Sequence, residues 1–168
     1  MQEKEQPTFD QLFSQGTRLL HQKDPQHAAL LLEHACELRP NHLDAAINLG
    51  GAYILLGRFT EAVRVLERAT EIDPDSVQAW TNLGAAYLGN PVLARDQEQM
   101  KAVAAFKKVL DIQPQAPHIA YNIGLIYKDR KEWRTAERWF AQAVEANPGD
   151  RDAAALLNKM IAYQSEED

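Results

Sequence analysis

The sequence predicts an all-α fold, a solenoid of four helical hairpins closed by a capping helix. Three observations predict it. The triplets Asn48-Leu49-Gly50, Asn82-Leu83-Gly84 and Asn122-Ile123-Gly124 repeat, the first two 34 residues apart. Each is followed, three residues after its glycine, by Tyr53, Tyr87 or Tyr127. Pro74, Pro114 and Pro148 then close each segment. A period of this size belongs to stacked supersecondary units, each burying its apolar face against the next.

The second unit, Leu43–Ser76, is the clearest. Ala46, Leu49, Gly50 and Tyr53 fall at i, i+3, i+4 and i+7, one face of a helix. Beyond Gly57, Ala62, Leu66 and Ala69 mark the face of a second helix. Asp73-Pro74-Asp75-Ser76 stops it and supplies a cap for the next, since proline is disfavoured inside a helix and serine favoured at its start. Residues 9–42, 77–116 and 117–150 follow the same plan. The third carries six extra residues: fourteen separate Tyr87 from Ala102, against eight between Tyr53 and Ala62. They are expected in the turn between paired helices, around 89–96, where Asn90-Pro91 ends one helix and Asp96 with Gln99 resembles a capping box for the next. Such an insertion serves either as a binding edge or as neutral loop length.

Residues 151–164 form an amphipathic closing helix, with Ala154, Leu157 and Ile161 expected on the inner face. Leu156, Met160 and Tyr163 make a second apolar stripe, either the end of a groove or a homodimer patch. Residues 1–8 are expected to be flexible, and 165–168 an acidic tail.

These units resemble the tetratricopeptide repeat. In the first, Leu12, Gly16, Leu19, Ala28, Leu32, Ala35 and Pro40 stand in the signature places. The third has Trp80, Leu83, Gly84, Tyr87, Ala102, Phe106 and Pro114; the fourth has Ala120, Ile123, Gly124, Tyr127, Ala136, Phe140, Ala143 and Pro148. The first departs at Gln15 and Leu19, where an apolar and an aromatic residue are usual. The resemblance implies a right-handed α-solenoid whose first helices line a concave groove, and a non-catalytic scaffold or adaptor that binds a peptide segment or helix there; the alternative is a self-associating structural scaffold that assembles through its capping helix or convex face.

On that implied groove, the expected lining is Phe13, Ser14, Thr17 and His21 in the first unit and Asp44, Ile47, Asn48, Gly51 and Leu55 in the second. The third contributes Gln78, Thr81, Asn82, Ala85 and Gly89, the fourth His118, Tyr121, Asn122, Leu125 and Asp129. Phe13, Ile47, Tyr121 and Leu125 would be apolar anchors. Asn48, Asn82 and Asn122 recur at one position although asparagine is a mediocre helix former. An amide both donates and accepts, so three in register could follow an extended backbone whatever its side chains. This is similar to the asparagine ladder of O-linked N-acetylglucosamine transferase; the other role for these amides is bonding to a neighbouring helix. The family's carboxylate clamp for acidic chaperone tails is not expected, because Phe13, Thr17, Gln78 and Asn82 stand where cations would be needed.

Composition narrows the partner. The net charge is −6 and no lysine–arginine stripe offsets it, so nucleic acid is not expected. Apolar runs such as Ala28–Leu32 span five residues, too few for a bilayer. The first residues are charged and lack the apolar stretch of a secretory signal, so a cytoplasmic location is the expectation. Cys36, the single cysteine, sits beside Glu37 and is expected to be a packing residue. His27 and His34 lie seven apart, and no Cys-x-x-Cys, His-Glu-x-x-His or phosphate-binding glycine loop is present. No metal, cofactor or enzymatic activity is expected.

Overall fold

The computed structural model describes residues 6–89 and 96–167. All regular structure among them is helical: α1 Phe9–His21, α2 Pro25–Leu38, α3 Leu43–Leu55, α4 Phe59–Ile72, α5 Val77–Leu88, α6 Asp96–Ile112, α7 Pro117–Asp129, α8 Trp133–Ala146 and α9 Arg151–Glu167. The chain divides into two compact units, Met1–Arg95 and Asp96–Asp168, with the boundary at the insertion. Residues 90–95, most of the expected insertion, lie outside the described residues.

Local sequence explains the helix starts. Thr8 and Gln11 form a reciprocal capping box at α1, Asp24 precedes Pro25 at α2, His42 accepts from the Ala45 amide at α3, and Ser76 from the Ala79 amide at α5. α6 is 17 residues long where α2, α4 and α8 have 14. Its extra turn, Asp96–Glu98, therefore takes up half of the six-residue surplus that the sequence placed in the loop. α9 likewise runs to Glu167, because nothing in Ser165-Glu166-Glu167 breaks a helix.

The hairpin turns repeat one backbone device. Lys23, Gly57 and Lys131 each have a left-handed φ, of 60°, 70° and 60°. The next amide in each case reaches back five residues, from Asp24 to the Leu19 carbonyl, Arg58 to Tyr53 and Glu132 to Tyr127. Only the second hairpin supplies the glycine that this conformation favours. Lys131→Gly should therefore stabilise unit 2 by about 1 kcal/mol, as the left-handed penalty of a side chain is removed. A urea melt followed by circular dichroism checks this, and an unchanged or lower midpoint refutes it.

In unit 1 the pairs α1–α2 and α3–α4 pack as hairpins, α2 packs on α3, and α4 on α5. Close contact within a pair rests on one glycine. A Cβ on Gly50 would lie 2.5 Å from Leu66 Cγ, and one on Gly16 2.8 Å from Leu32 Cγ. Leu66 and Leu32 are both fully buried. The face of α3 that receives α2 is Ala45, Leu49, Ala52 and Tyr53, all buried. The corresponding residues of α1 are Gln11, Gln15, Arg18 and Leu19, of which the first three are exposed and Leu19 is half-buried, so that face of α1 is mostly polar. This explains the departure of Gln15 from the repeat pattern.

In unit 2, α7 pairs with α8, and α6 and α9 pack against α7 and α8 respectively. Phe140 replaces leucine against the glycine: a Cβ on Gly124 would stand 2.7 Å from its ring. The buried face of α9 is rotated from the sequence expectation, with Ala154 and Leu157 at its half-buried margin. Ala153 and Met160 are fully buried, Tyr163 packs on Trp133 at 5.0 Å, and Ile161 is exposed. Met160 cannot therefore contribute to the homodimer patch expected from Leu156, Met160 and Tyr163. The amphipathic pattern offered two apolar stripes of similar strength, and only the packing of α9 on α8 selects between them.

Candidate functional site

The first helices of unit 1, α1, α3 and α5, lie side by side, since α3 packs against both α1 and α5. Most of the expected groove residues lie on these three helices. Asn48 Nδ2 donates to Thr17 Oγ1 at 2.9 Å, tying α3 to α1. Thr81 Oγ1 is turned to its own helix, donating to the Val77 carbonyl at 2.8 Å. Asn82 is half-buried and makes no side-chain hydrogen bond among the described residues. The three asparagines are thus unequal: the amide group of Asn48 is already committed, that of Asn82 is available. Asp44 and Gln78 are exposed, and Gly51 and Ala85 half-exposed.

Two expected anchors belong to the interior. Ile47 is 3% exposed and packs with Ala46, Ala69 and Ala79, so it is a core residue rather than a groove contact. Phe13 is half-buried, stacked on Phe9 at 5.6 Å and beside the His42 ring at 5.1 Å. The large apolar side chain that stays open on this helix row is Leu55, 65% exposed.

In unit 2, α7 displays His118 exposed, with Tyr121, Asn122 and Leu125 half-buried. Tyr121 meets the edge of Phe140 at 5.8 Å and borders the Ala120, Ala143 and Ala153 cluster, which holds its ring in place. Asn122, like Asn82, has no side-chain partner among the described residues.

Two tyrosines, Tyr53 buried and Tyr87 half-buried, lock successive hairpins, a role the sequence did not reveal. Tyr53 Oη donates to Glu33 at 2.7 Å, and Tyr87 Oη to Glu67 at 2.6 Å, one repeat later. Burial, then the bonded carboxylate, pushes both phenols up to about 12. Arg58 completes the first lock by bonding Glu33 at 3.3 Å and lying 4.3 Å over the Tyr53 ring. In unit 2 the residue in register is Lys107, which cannot accept from Tyr127 and instead places its ammonium 5.8 Å from the Trp139 ring. There Arg130 bonds Asp96 at 3.0 Å and Glu132 at 2.7 Å. The 20-residue offset between tyrosine and glutamate was the available signal, visible only once the hairpins are known to stack.

The remaining reactive types have structural work. Burial raises the Cys36 thiol to about 11, and the side chain packs against Phe9, Leu12 and Ala35. His27 Nδ1 bonds Asp24 at 2.8 Å, which holds that carboxyl below its usual value. Among the described residues no three His, Cys, Asp or Glu side chains converge as metal ligands, and no helix is long and apolar enough to cross a membrane. A hollow of about 560 Å³ in unit 2, lined by Gln115, Arg138, Gln142 and Glu145 among others, and one of about 440 Å³ in unit 1, beside Leu30 and Arg58, involve none of the expected groove residues.

Comparison with known proteins agrees with this geometry. Residues 19–87 and 101–160 match the profile of the tetratricopeptide repeat. The structure is similar to that of MamA from Desulfovibrio magneticus RS-1, with 24% identity, a TM-score of 0.77, and 86% of this chain and 78% of that one covered. A second MamA crystal structure gives 20% identity and a TM-score of 0.79, covering 89% and 84%. TTC0263, a thermophilic TPR protein of Thermus thermophilus, gives 18% identity and a TM-score of 0.71, covering 94% and 83%. At these identities the likeness is one of fold. Over 40 residues the chain is 38% identical to the human Cell division cycle protein 16 homolog, a stretch that is 24% of this chain and 6% of that protein.

Proposed function

The chain belongs to the tetratricopeptide repeat family, and from that premise we propose that it is a non-catalytic interaction scaffold that holds an extended segment of a partner protein. In unit 1 the segment lies on the first-helix faces of α1, α3 and α5, and α7 of unit 2 offers a face of the same kind by itself. Repeats at 9–42, 43–76, 77–116 and 117–150, with the closing helix, are the framework of this reading. The observation that carries it is the pair Asn82 and Asn122. Both are half-buried amides at the same repeat position with their hydrogen-bonding groups unengaged by the described residues. Such an amide is open to solvent, and a partner's backbone amide can take the place of water in both senses. Fold alone does not select a ligand, so the argument rests on these side chains.

Panning displayed dodecapeptides against the full chain, then measuring enriched peptides by calorimetry, tests the proposal. Each neutral hydrogen bond contributes about 0.5–1.5 kcal/mol, so Asn82→Ala for peptides held by unit 1, and Asn122→Ala for peptides held by unit 2, should each weaken binding roughly 2- to 13-fold. Far-ultraviolet circular dichroism should stay unchanged. No enriched peptide, or affinity indifferent to both substitutions, overturns it.

A further inference from the structure

Two adjacent glycines of α3 have opposite surroundings. Gly50 is required by packing, since its Cβ would collide with all the branch atoms of Leu66 within 2.9 Å. A Cβ on Gly51 meets nothing within 4 Å among the described atoms. Its backbone is ordinary helix, with no left-handed φ. A glycine inside a helix is unfavourable relative to alanine, and no packing contact among the described residues recovers that loss. Gly51 lies on one helical stripe with Asp44, Asn48 and Leu55, at i, i+4, i+7 and i+11. Asp44 at one end is exposed and makes no ion pair among the described residues; Leu55 at the other is 65% exposed. Asp44 is also the single charged side chain in α3 and α5 together.

We propose that this stripe of α3 is a docking line for an extended peptide that brings a lysine or arginine to Asp44, passes its backbone closely over Gly51 and sets an apolar side chain on Leu55. The inference rests on the peptide-binding reading above and specifies its ligand. Asp44 and Leu55 are eleven residues apart, about 16 Å along a helix. An extended chain covers that distance in about five residues. The preferred ligand therefore has a basic and an apolar residue about five positions apart, with a small residue between them. A lone carboxylate on an otherwise uncharged face favours a basic ligand and repels an acidic one. At Gly51 the missing side chain admits the backbone, where any larger residue would hold it off.

The probes are peptides enriched on the full chain, together with versions in which the basic residue is replaced by glutamine. Asp44→Asn should weaken the basic peptide about tenfold and leave the glutamine version unchanged. Gly51→Ala should raise the melting temperature by about 2–4 °C, as helix propensity dictates with no clash to oppose it, yet weaken binding. Gly51→Leu should reduce binding at least tenfold with helicity retained. Peptides that lose affinity on Asn82→Ala but ignore Asp44→Asn and Gly51→Leu would overturn the docking line and leave the scaffold reading standing. Enrichment of acidic peptides would overturn the docking line too. Absence of any bound peptide overturns both.

Discussion

Phe140→Ala is expected to cost about 3–5 kcal/mol, enough to unfold much of unit 2 at physiological temperature. The ring is fully buried, faces Gly124, and meets Tyr121 edge-on at 5.8 Å. Removing it leaves a cavity between α7 and α8, because the ring is what fills the space against Gly124. Phe140→Leu is the informative comparison. Leucine occupies this position in both hairpins of unit 1, as Leu32 and Leu66, so the milder change should cost about 1–1.5 kcal/mol. Equilibrium urea unfolding of the full chain, read by circular dichroism, separates the two. A loss below 1 kcal/mol for the alanine variant would show that Phe140 is not the keystone of this hairpin.

A second large effect is expected at the closing helix. Met160→Glu places a carboxylate where the native side chain has no solvent exposure, and should destabilise by about 3 kcal/mol or more. Ile161→Glu, one residue on, should stay within about 0.5 kcal/mol, because Ile161 is 47% exposed. Thermal melts of both variants at neutral pH decide the matter. The opposite order of effects would restore the face of α9 that the sequence pattern favoured, and with it the availability of Met160 to a second copy.

Much of the fold was legible because it rests on short-range rules. The Asn-Leu-Gly and tyrosine spacings reported hairpins of fixed length, and Ser76 capped α5 as its residue type requires. Gly16, Gly50 and Gly124 marked close helix approach, and each does press on a buried leucine or phenylalanine. The polar edge of α1 was visible as the departure at Gln15, although its meaning depended on what is stacked beside it.

The site was less legible. Ile47 and Asn48 are neighbours in sequence and were both expected in the groove, yet one lies under Ala69 and Ala79 and the other bonds Thr17 on the next helix. A helix of 3.6 residues per turn puts adjacent positions about 100° apart, and periodicity alone does not say where the rim of a face falls. Gly51 was counted among the groove residues for its position; that it lacks a packing neighbour is a fact of three dimensions.

The sequence by itself determined the number and length of the helical segments in each complete hairpin, their caps, and the glycine and alanine contacts that pair them. All of these depend on residues a few positions apart or on a repeat that copies itself. Tertiary structure alone decided which stripe of α9 is buried, which asparagine amides remain available, and which tyrosines find a carboxylate. Those outcomes depend on the rotation of one helix against another, which side-chain packing sets over distances that no local pattern encodes.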